Sequence, residues 1–236
     1  MKLELLKVNI KEAGYSKETV IGQVQFALHS GELIGLIGPN GSGKSTTLKA
    51  ILGMLPHVHG DIIFYNEEKN YVYIPEQPVF YDELTLWEHI ELAAAAYHLP
   101  KKIFETRAKE LLTLFHMTKY IHELPIKFSK GMQQKVMIIL AFLIRPKVYV
   151  VDEPFIGLDP RATKTFLRLL DTVIEEGAGV LMSTHVLDTA EKICTSIILM
   201  SEGSIMAQGT LDEILEQCKM PNASLLDCFS YLLGDE

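Results

Sequence analysis

The chain is predicted to be an α/β protein, with a mainly parallel sheet wrapped by helices, an antiparallel β region at its start and a helical insertion near its middle. Three observations predict this. Short apolar runs recur at Leu33–Ile37, Tyr71–Ile74, Lys147–Val151, Gly179–Ser183 and Ser196–Met200, with helical patterns between most of them. That alternation builds parallel sheets. The first stretch instead alternates residue by residue, at Lys2–Ile10, Val20–Leu28 and Asp61–Tyr65, as antiparallel strands do. From about Tyr81 to Arg145 no convincing strand occurs. Three helical patterns follow one another there, Leu84–His98, Lys101–His116 and Lys130–Ile144, punctuated by Pro100 and Pro125. The end, Leu211–Glu236, holds two helical patches broken by Met220-Pro221-Asn222. The expected organisation is a core of residues 1–77 and 146–215 that includes the β region, a helical subdomain of residues 78–145, and a helical tail of residues 216–236.

Bulk properties narrow the class. At 236 residues the chain can bury a sizeable core. A net charge of −8 argues against a dedicated nucleic-acid binder, which needs a basic face. Cys194, Cys218 and Cys228 show no paired spacing, so neither zinc nor disulfides are expected. The N-terminus alternates charge too early for a signal peptide. The longest apolar run, Val136 to Ile144, is half the length that crosses a bilayer. The chain is therefore expected not to span a membrane, though docking on one stays open.

The chemistry begins at Gly38-Pro39-Asn40-Gly41-Ser42-Gly43-Lys44-Ser45-Thr46, which fits the phosphate-loop pattern G-x-x-x-x-G-K-[ST]. An apolar strand precedes it and the helical run Thr47–Leu52 follows. Glycines let successive N–H groups turn inward around a phosphate, and the helix dipole adds positive charge at the same point. Lys44 reaches the β- and γ-phosphates, and the Ser45 hydroxyl suits Mg²⁺. The second element is Val148-Tyr149-Val150-Val151-Asp152-Glu153, a hydrophobic strand carrying two acids to its C-terminal end. Open α/β sheets place their ligands at that end. Asp152 is expected to order Mg²⁺ or its waters and Glu153 to polarise an attacking water.

In order along the chain, these motifs resemble the nucleotide-binding subunit of an ABC transporter, and the likeness covers nearly the whole length. The resemblance implies a P-loop NTPase core of the ABC ATPase type, with ATP and Mg²⁺. It puts Tyr15 where an aromatic stacks on adenine, and Gln77 where a glutamine senses Mg²⁺ and the γ-phosphate. Phe128-Ser129-Lys130-Gly131-Met132 stands for the signature, usually Leu-Ser-Gly-Gly-Gln. Gly157-Leu158-Asp159 matches the loop that crosses to a partner subunit, and His185 the switch histidine. Catalytic roles fall on Glu153, His185, Lys44 and Gln77. The nucleotide is held by Tyr15, the phosphate loop, Ser129, Gly131 and Asp159, and Mg²⁺ by Ser45, Gln77 and Asp152. Read from the residues, Ser129 is a good N-cap for Lys130–Ile144, whose apolar face is Met132, Val136, Ile139, Leu140 and Leu143. The resemblance adds that this helix start caps a γ-phosphate held by another subunit. One chain has one phosphate loop and one signature, so two complete sites need two cassettes, as a homodimer or a paired cassette.

The departures are Lys130 for a glycine, Met132 for a glutamine, and Phe155-Ile156 for small polar residues. Lys130 either adds charge beside the phosphate or is solvated, and the second is preferred; a packing role is preferred for Phe155-Ile156. This signature resembles that of bacterial cassettes whose membrane permease is a separate polypeptide, and it favours export. The resemblance implies peripheral placement at the cytoplasmic face of the membrane. The stretch Leu86–Ala93 is expected to line a groove for the permease. His57 and His59 are read as solvent-facing loop residues rather than metal ligands, so Mg²⁺ is the only metal expected. The alternative, a soluble ABC-type ATPase acting on nucleic acid or ribosomes, usually carries two cassettes in one chain or long coiled-coil inserts. A module using ATP only as a dimerisation ligand fits poorly with intact Lys44, Asp152, Glu153 and His185.

Overall fold

The computed structural model describes residues 2–15, 19–65, 71–220 and 223–234. Two sheets form. The smaller is antiparallel, in the order β2-β1-β4, from β1 (Glu4–Gly14), β2 (Val24–His29) and β4 (His57–Phe64). The larger has six strands in the order β5-β6-β7-β3-β8-β9. These are β3 (Leu33–Ile37), β5 (Tyr71–Ile74), β6 (Val148–Asp152), β7 (Gly179–Thr184), β8 (Ser196–Ser201) and β9 (Ser204–Gly209). All pair in parallel except β9, which returns antiparallel along β8. Strands β3, β6 and β7 are buried at every position. Interior parallel strands are covered on both faces and so read as unbroken apolar runs.

The register places the chemistry. Ile37 at the end of β3 pairs with Thr184 of β7, and Asp152 of β6 pairs with Ser183. The phosphate loop, the two acids and His185 therefore leave neighbouring strands at the same, C-terminal end of the sheet. On the far side Ile74 pairs with Val151. The loop after β5 thus starts level with the acids.

The middle of the chain packs as α2 (Leu86–Ala96), α3 (Lys101–Leu114) and α4 (Lys130–Ile144). Helix α2 starts at Leu86 rather than Leu84 because Thr85 caps it in a capping box with Glu88. Helices α2 and α3 stop short of the predicted His98 and His116, which take left-handed φ values of 53° and 58°. In α4, Val136, Ile139 and Leu143 are fully buried, joined by Ile138, Ala141 and Phe142, while Met132 and Leu140 are only half-buried. Phe142 sits against Tyr149 of β6 and edge-on to Phe166 of α5 (Pro160–Glu175), which locks α4 to the sheet. Each such fully buried large apolar side chain contributes about 1.5–3 kcal/mol.

Helix α1 (Lys44–Ile51) follows the phosphate loop and α6 (Leu187–Ile193) follows His185. Helices α7 (Leu211–Gln217) and α8 (Leu225–Leu233) close a third apolar cluster with Ile37, Leu199, Ile214 and Phe229. The expected core–tail boundary after residue 215 falls inside α7, whose capping box at Thr210 and Glu213 starts one continuous helix. Of the predicted break Met220-Pro221-Asn222, the last two residues lie outside the described ones.

Two strand expectations are corrected, and one strand was not expected. Strand β4 begins at His57, so His57 and His59 are strand rather than loop residues; pairing Gly14 with His57 and Glu12 with His59 prolongs the ladder past the bulge near Ile10. Strand β2 begins at Val24 rather than Val20, with only an isolated bridge from Ile21 to Ala13 before it. Strand β9 went unpredicted, since its burial follows no clean alternation and its apolar residues are few.

Candidate functional site

The phosphate loop bends where its glycines permit. Gly41 and Gly43 take φ values of 84° and 102°, in the left-handed region. Gly43 is also the N-cap of α1 and has no side chain to satisfy the first-turn N–H groups. Those groups open on a cavity of about 440 Å³ lined by Asn40, Gly41, Gly43, Lys44, Ser45 and Thr46, together with Val20, Glu76, Glu153, Ile156 and His185.

Lys44 is buried. Its Nζ donates to the carbonyls of Gly38 at 2.8 Å and Pro39 at 3.2 Å, and lies 3.7 Å from Glu153 Oε1. A buried ammonium needs such partners, since desolvation unpaired costs several kcal/mol. Asp152 is equally engaged. Its Oδ1 accepts from Ser45 Oγ at 3.0 Å and Ser183 Oγ at 2.5 Å, and its Oδ2 from Tyr73 Oη at 3.3 Å. Burial, and then the adjacent Asp152 carboxylate, push the Tyr73 phenol well above its ordinary pKa, so Tyr73 stays a donor. The oxygens of Ser45 and Asp152 converge in one place. Hydroxyl and carboxylate oxygens are the hard ligands that suit Mg²⁺.

Glu153 is held in a conformation unusual for a non-glycine residue, with φ of 47°. Its N–H is fixed by the Ser183 carbonyl at 3.2 Å and the Ser183 Oγ at 3.1 Å. This turn aims the carboxylate at both Lys44 and His185, whose Nδ1 lies 2.9 Å from Glu153 Oε2. His185 is half-exposed while Glu153 is buried. The group can therefore accept a proton or orient a water at the cavity wall while a histidine faces outward beside it.

Not every expected residue joins this cluster. Tyr15 directly follows β1, half-exposed, with Lys49 Nζ 3.3 Å from its hydroxyl and 5.6 Å from its ring centroid. Of the two residues after Pro75, the described lining of the cavity includes Glu76 and not Gln77. A loop has no period from which facing can be read, so that difference needed the fold. Ile156 also lines the cavity, while Phe155 packs edge-on to Phe166, consistent with its expected packing role.

Ser129, Gly131 and Asp159 form a separate group. Ser129 is the N-cap of α4, and its Oγ accepts from Met132 N at 3.4 Å. A Cβ on Gly131 would lie 2.3 Å from the Gly157 carbonyl, so only glycine allows this approach of the two loops. Asp159 caps α5, accepting from Ala162 N at 2.9 Å, and pairs with Lys135 Nζ at 2.6 Å. The Lys135 hydrogen bond, then the Ala162 N–H, hold its carboxyl below the usual carboxylate range.

Among the described residues no helix is long and apolar enough to cross a membrane. The family model described as ABC transporter matches residues 21–156. The chain is 50% identical over 226 residues to the uncharacterised ABC transporter ATP-binding protein YthP of Bacillus subtilis (strain 168), covering 95% of each chain. It is 44% identical over 243 residues to the ABC-type transporter ATP-binding protein EcsA of the same organism, covering 99% of this chain and 98% of that one. A solved structure described as the ATP binding subunit of an ABC transporter superposes with a TM-score of 0.93 at 42% identity, covering 97% of this chain and 99% of the other. With the motifs in family order and the cassette fold around them, this chain belongs to the ABC transporter ATP-binding proteins.

Proposed function

We propose that the chain binds and hydrolyses ATP between two cassettes, and that closing and reopening this pair drives transport, in the direction of export, through a separate membrane permease. The observation that carries this reading is a division of labour: one cavity gathers Lys44, Ser45, Glu153 and His185, while Ser129 and Gly131 of the same chain are absent from its described lining. A triphosphate seated on the phosphate loop leaves its γ-phosphate facing outward, where a second molecule's signature helix offers Ser129 and free first-turn N–H groups.

In the reaction, water attacks the γ-phosphorus, its proton passes toward Glu153, and the bond to the β-phosphate oxygen breaks. Lys44 balances charge on the phosphates, and His185, anchored on Glu153, faces the group being transferred. Ser45 and Asp152 would hold Mg²⁺, with Gln77 or its cavity-lining neighbour Glu76 reaching in from the loop after β5. The ion supplies charge neutralisation at the phosphate oxygens. Tyr15 serves as the adenine platform and Asp159 as part of the loop crossing to the partner. The groove beside α2 receives the permease, and the signature's spelling supports export and a separate permease chain. The assembly lies at the cytoplasmic face of the membrane.

Glu153→Gln tests the centre of this reading. It should retain ATP affinity, lower turnover by about 10²–10⁴-fold and accumulate an ATP-bound dimer in size-exclusion chromatography. Wild-type turnover in that variant would remove Glu153 from catalysis.

A further inference from the structure

The turn between β8 and β9 touches two segments that line the cavity, the phosphate loop and the stretch from Val20 to Gly22. Gly203 N donates to the Ser42 carbonyl at 3.0 Å, inside the phosphate loop. The Gly203 carbonyl accepts from Gly22 N at 2.8 Å, in the segment that brings Val20 to the cavity lining. The three backbone segments approach too closely for a side chain at Gly203 or Gly43. A Cβ on Gly203 would sit 2.0 Å from the Val20 carbonyl, and one on Gly43 would sit 2.5 Å from Ile21 Cδ1 and 3.3 Å from Gly203 Cα. Gly203 also has φ of 76°. Strand β8 supports the same loop from beneath. A Cβ on Gly38 would meet the Met200 carbonyl at 2.4 Å, and Thr47 Oγ1 lies 3.8 Å from Met200 Sδ.

We propose that Gly203 is a positioning residue for nucleotide binding: it ties the phosphate loop to the Val20–Gly22 segment and so sets the spacing between the phosphate loop and Val20, against which the nucleoside end of the ligand rests. A ligand that touches both segments gains from correct spacing, because it need not reorganise the site on binding. A ligand that touches only the phosphate loop gains nothing from it. The inference rests on the nucleotide reading above and adds a residue outside every motif that reading uses.

Gly203→Ala in the full chain separates the two cases. Affinity for ATP and for inorganic tripolyphosphate is measured by calorimetry with Mg²⁺ present, alongside the melting temperature. ATP affinity should fall about tenfold while tripolyphosphate affinity changes less than about threefold. Parallel losses in both, as a merely destabilised fold would give, or no loss in either, overturn the proposal. Should Gly203→Ala not fold, Ile21→Val removes only the Cδ1 methyl that lies against Gly43, at a small packing cost. It should shift the same ratio two- to threefold, and an unchanged ratio overturns the proposal. Failure of the wild-type chain to bind either ligand would instead defeat the nucleotide reading itself.

Discussion

The phosphate-loop cluster and the signature region, both on this one chain, are finished to different degrees. Around the phosphate loop the charges are buried and answered internally: Lys44 by two carbonyls and Glu153, Asp152 by Ser45, Ser183 and Tyr73. At the signature, Ser129 makes one long bond to its own helix, Lys130 is exposed, and Asp159 is half-exposed to solvent in its pair with Lys135. Low-dielectric surroundings make unpaired charge expensive, so the first cluster has to be assembled before any ligand arrives. The second region sits in water, which satisfies open helix donors without cost. Under the proposed function, it waits for an anion brought by another molecule. The difference teaches that preorganisation here is confined to the buried cluster around the phosphate loop.

The strongest way to break this comparison is to strip the buried half. Lys44→Ala leaves Glu153 and the Gly38 and Pro39 carbonyls without their cation, and should weaken ATP binding by about 3 kcal/mol, over a hundredfold, in calorimetric titration. A loss below tenfold would mean that the cluster is not tuned for phosphate.

Gly131→Ala comes next. Its new Cβ would meet the Gly157 carbonyl, and overpacking of this kind should cost about 1–3 kcal/mol in urea unfolding. ATP binding to the isolated chain should stay within about twofold, since Gly131 is not among the described cavity residues. A matching loss of binding would merge the two regions into one site.

Ser129→Ala removes only a cap and should cost about 1 kcal/mol of stability. Isolated-chain ATP binding should again hold, while turnover by the assembled transporter drops. Unchanged turnover would take Ser129 out of the shared site.

The smallest effect belongs to the Lys135–Asp159 pair. The folded pKa of Asp159 is depressed, so its contribution is present above the unfolded value of about 3.9 and fades as pH falls through the lower folded value. Asp159→Asn should therefore lower stability by less than about 1 kcal/mol near pH 7, because the pair is half-exposed. The difference should vanish under strong acid in denaturant titrations. A gap that persists there would assign the effect to capping alone.

Much of this architecture was legible before folding. The interior strands announced themselves as apolar runs, and the phosphate loop by glycines at fixed spacing before a lysine. Helix α4 and the start of α3 were read at their observed bounds, whereas both ends of α2 and the end of α3 were off by about two residues, because cap chemistry at Thr85 and left-handed residues at His98 and His116 decide where a helix starts and stops. Strand β9 stayed hidden because an edge strand with few buried positions carries little periodic signal. The facing of Glu76 against Gln77 stayed hidden as well, since an irregular loop has no period at all.

The order of the motifs, the identity of the cation and of the acids, and the need for glycine where the phosphate loop turns were determined by the sequence alone, because each depends on neighbours within a few residues. Only the tertiary structure decided that Glu153 adopts a left-handed turn against Ser183, that Asp159 is tied to Lys135, and that Gly203 braces the phosphate loop from far along the chain. The first and third arise from strands distant in sequence that the assembled sheet brings side by side, and the second from the packing of α4 beside the start of α5.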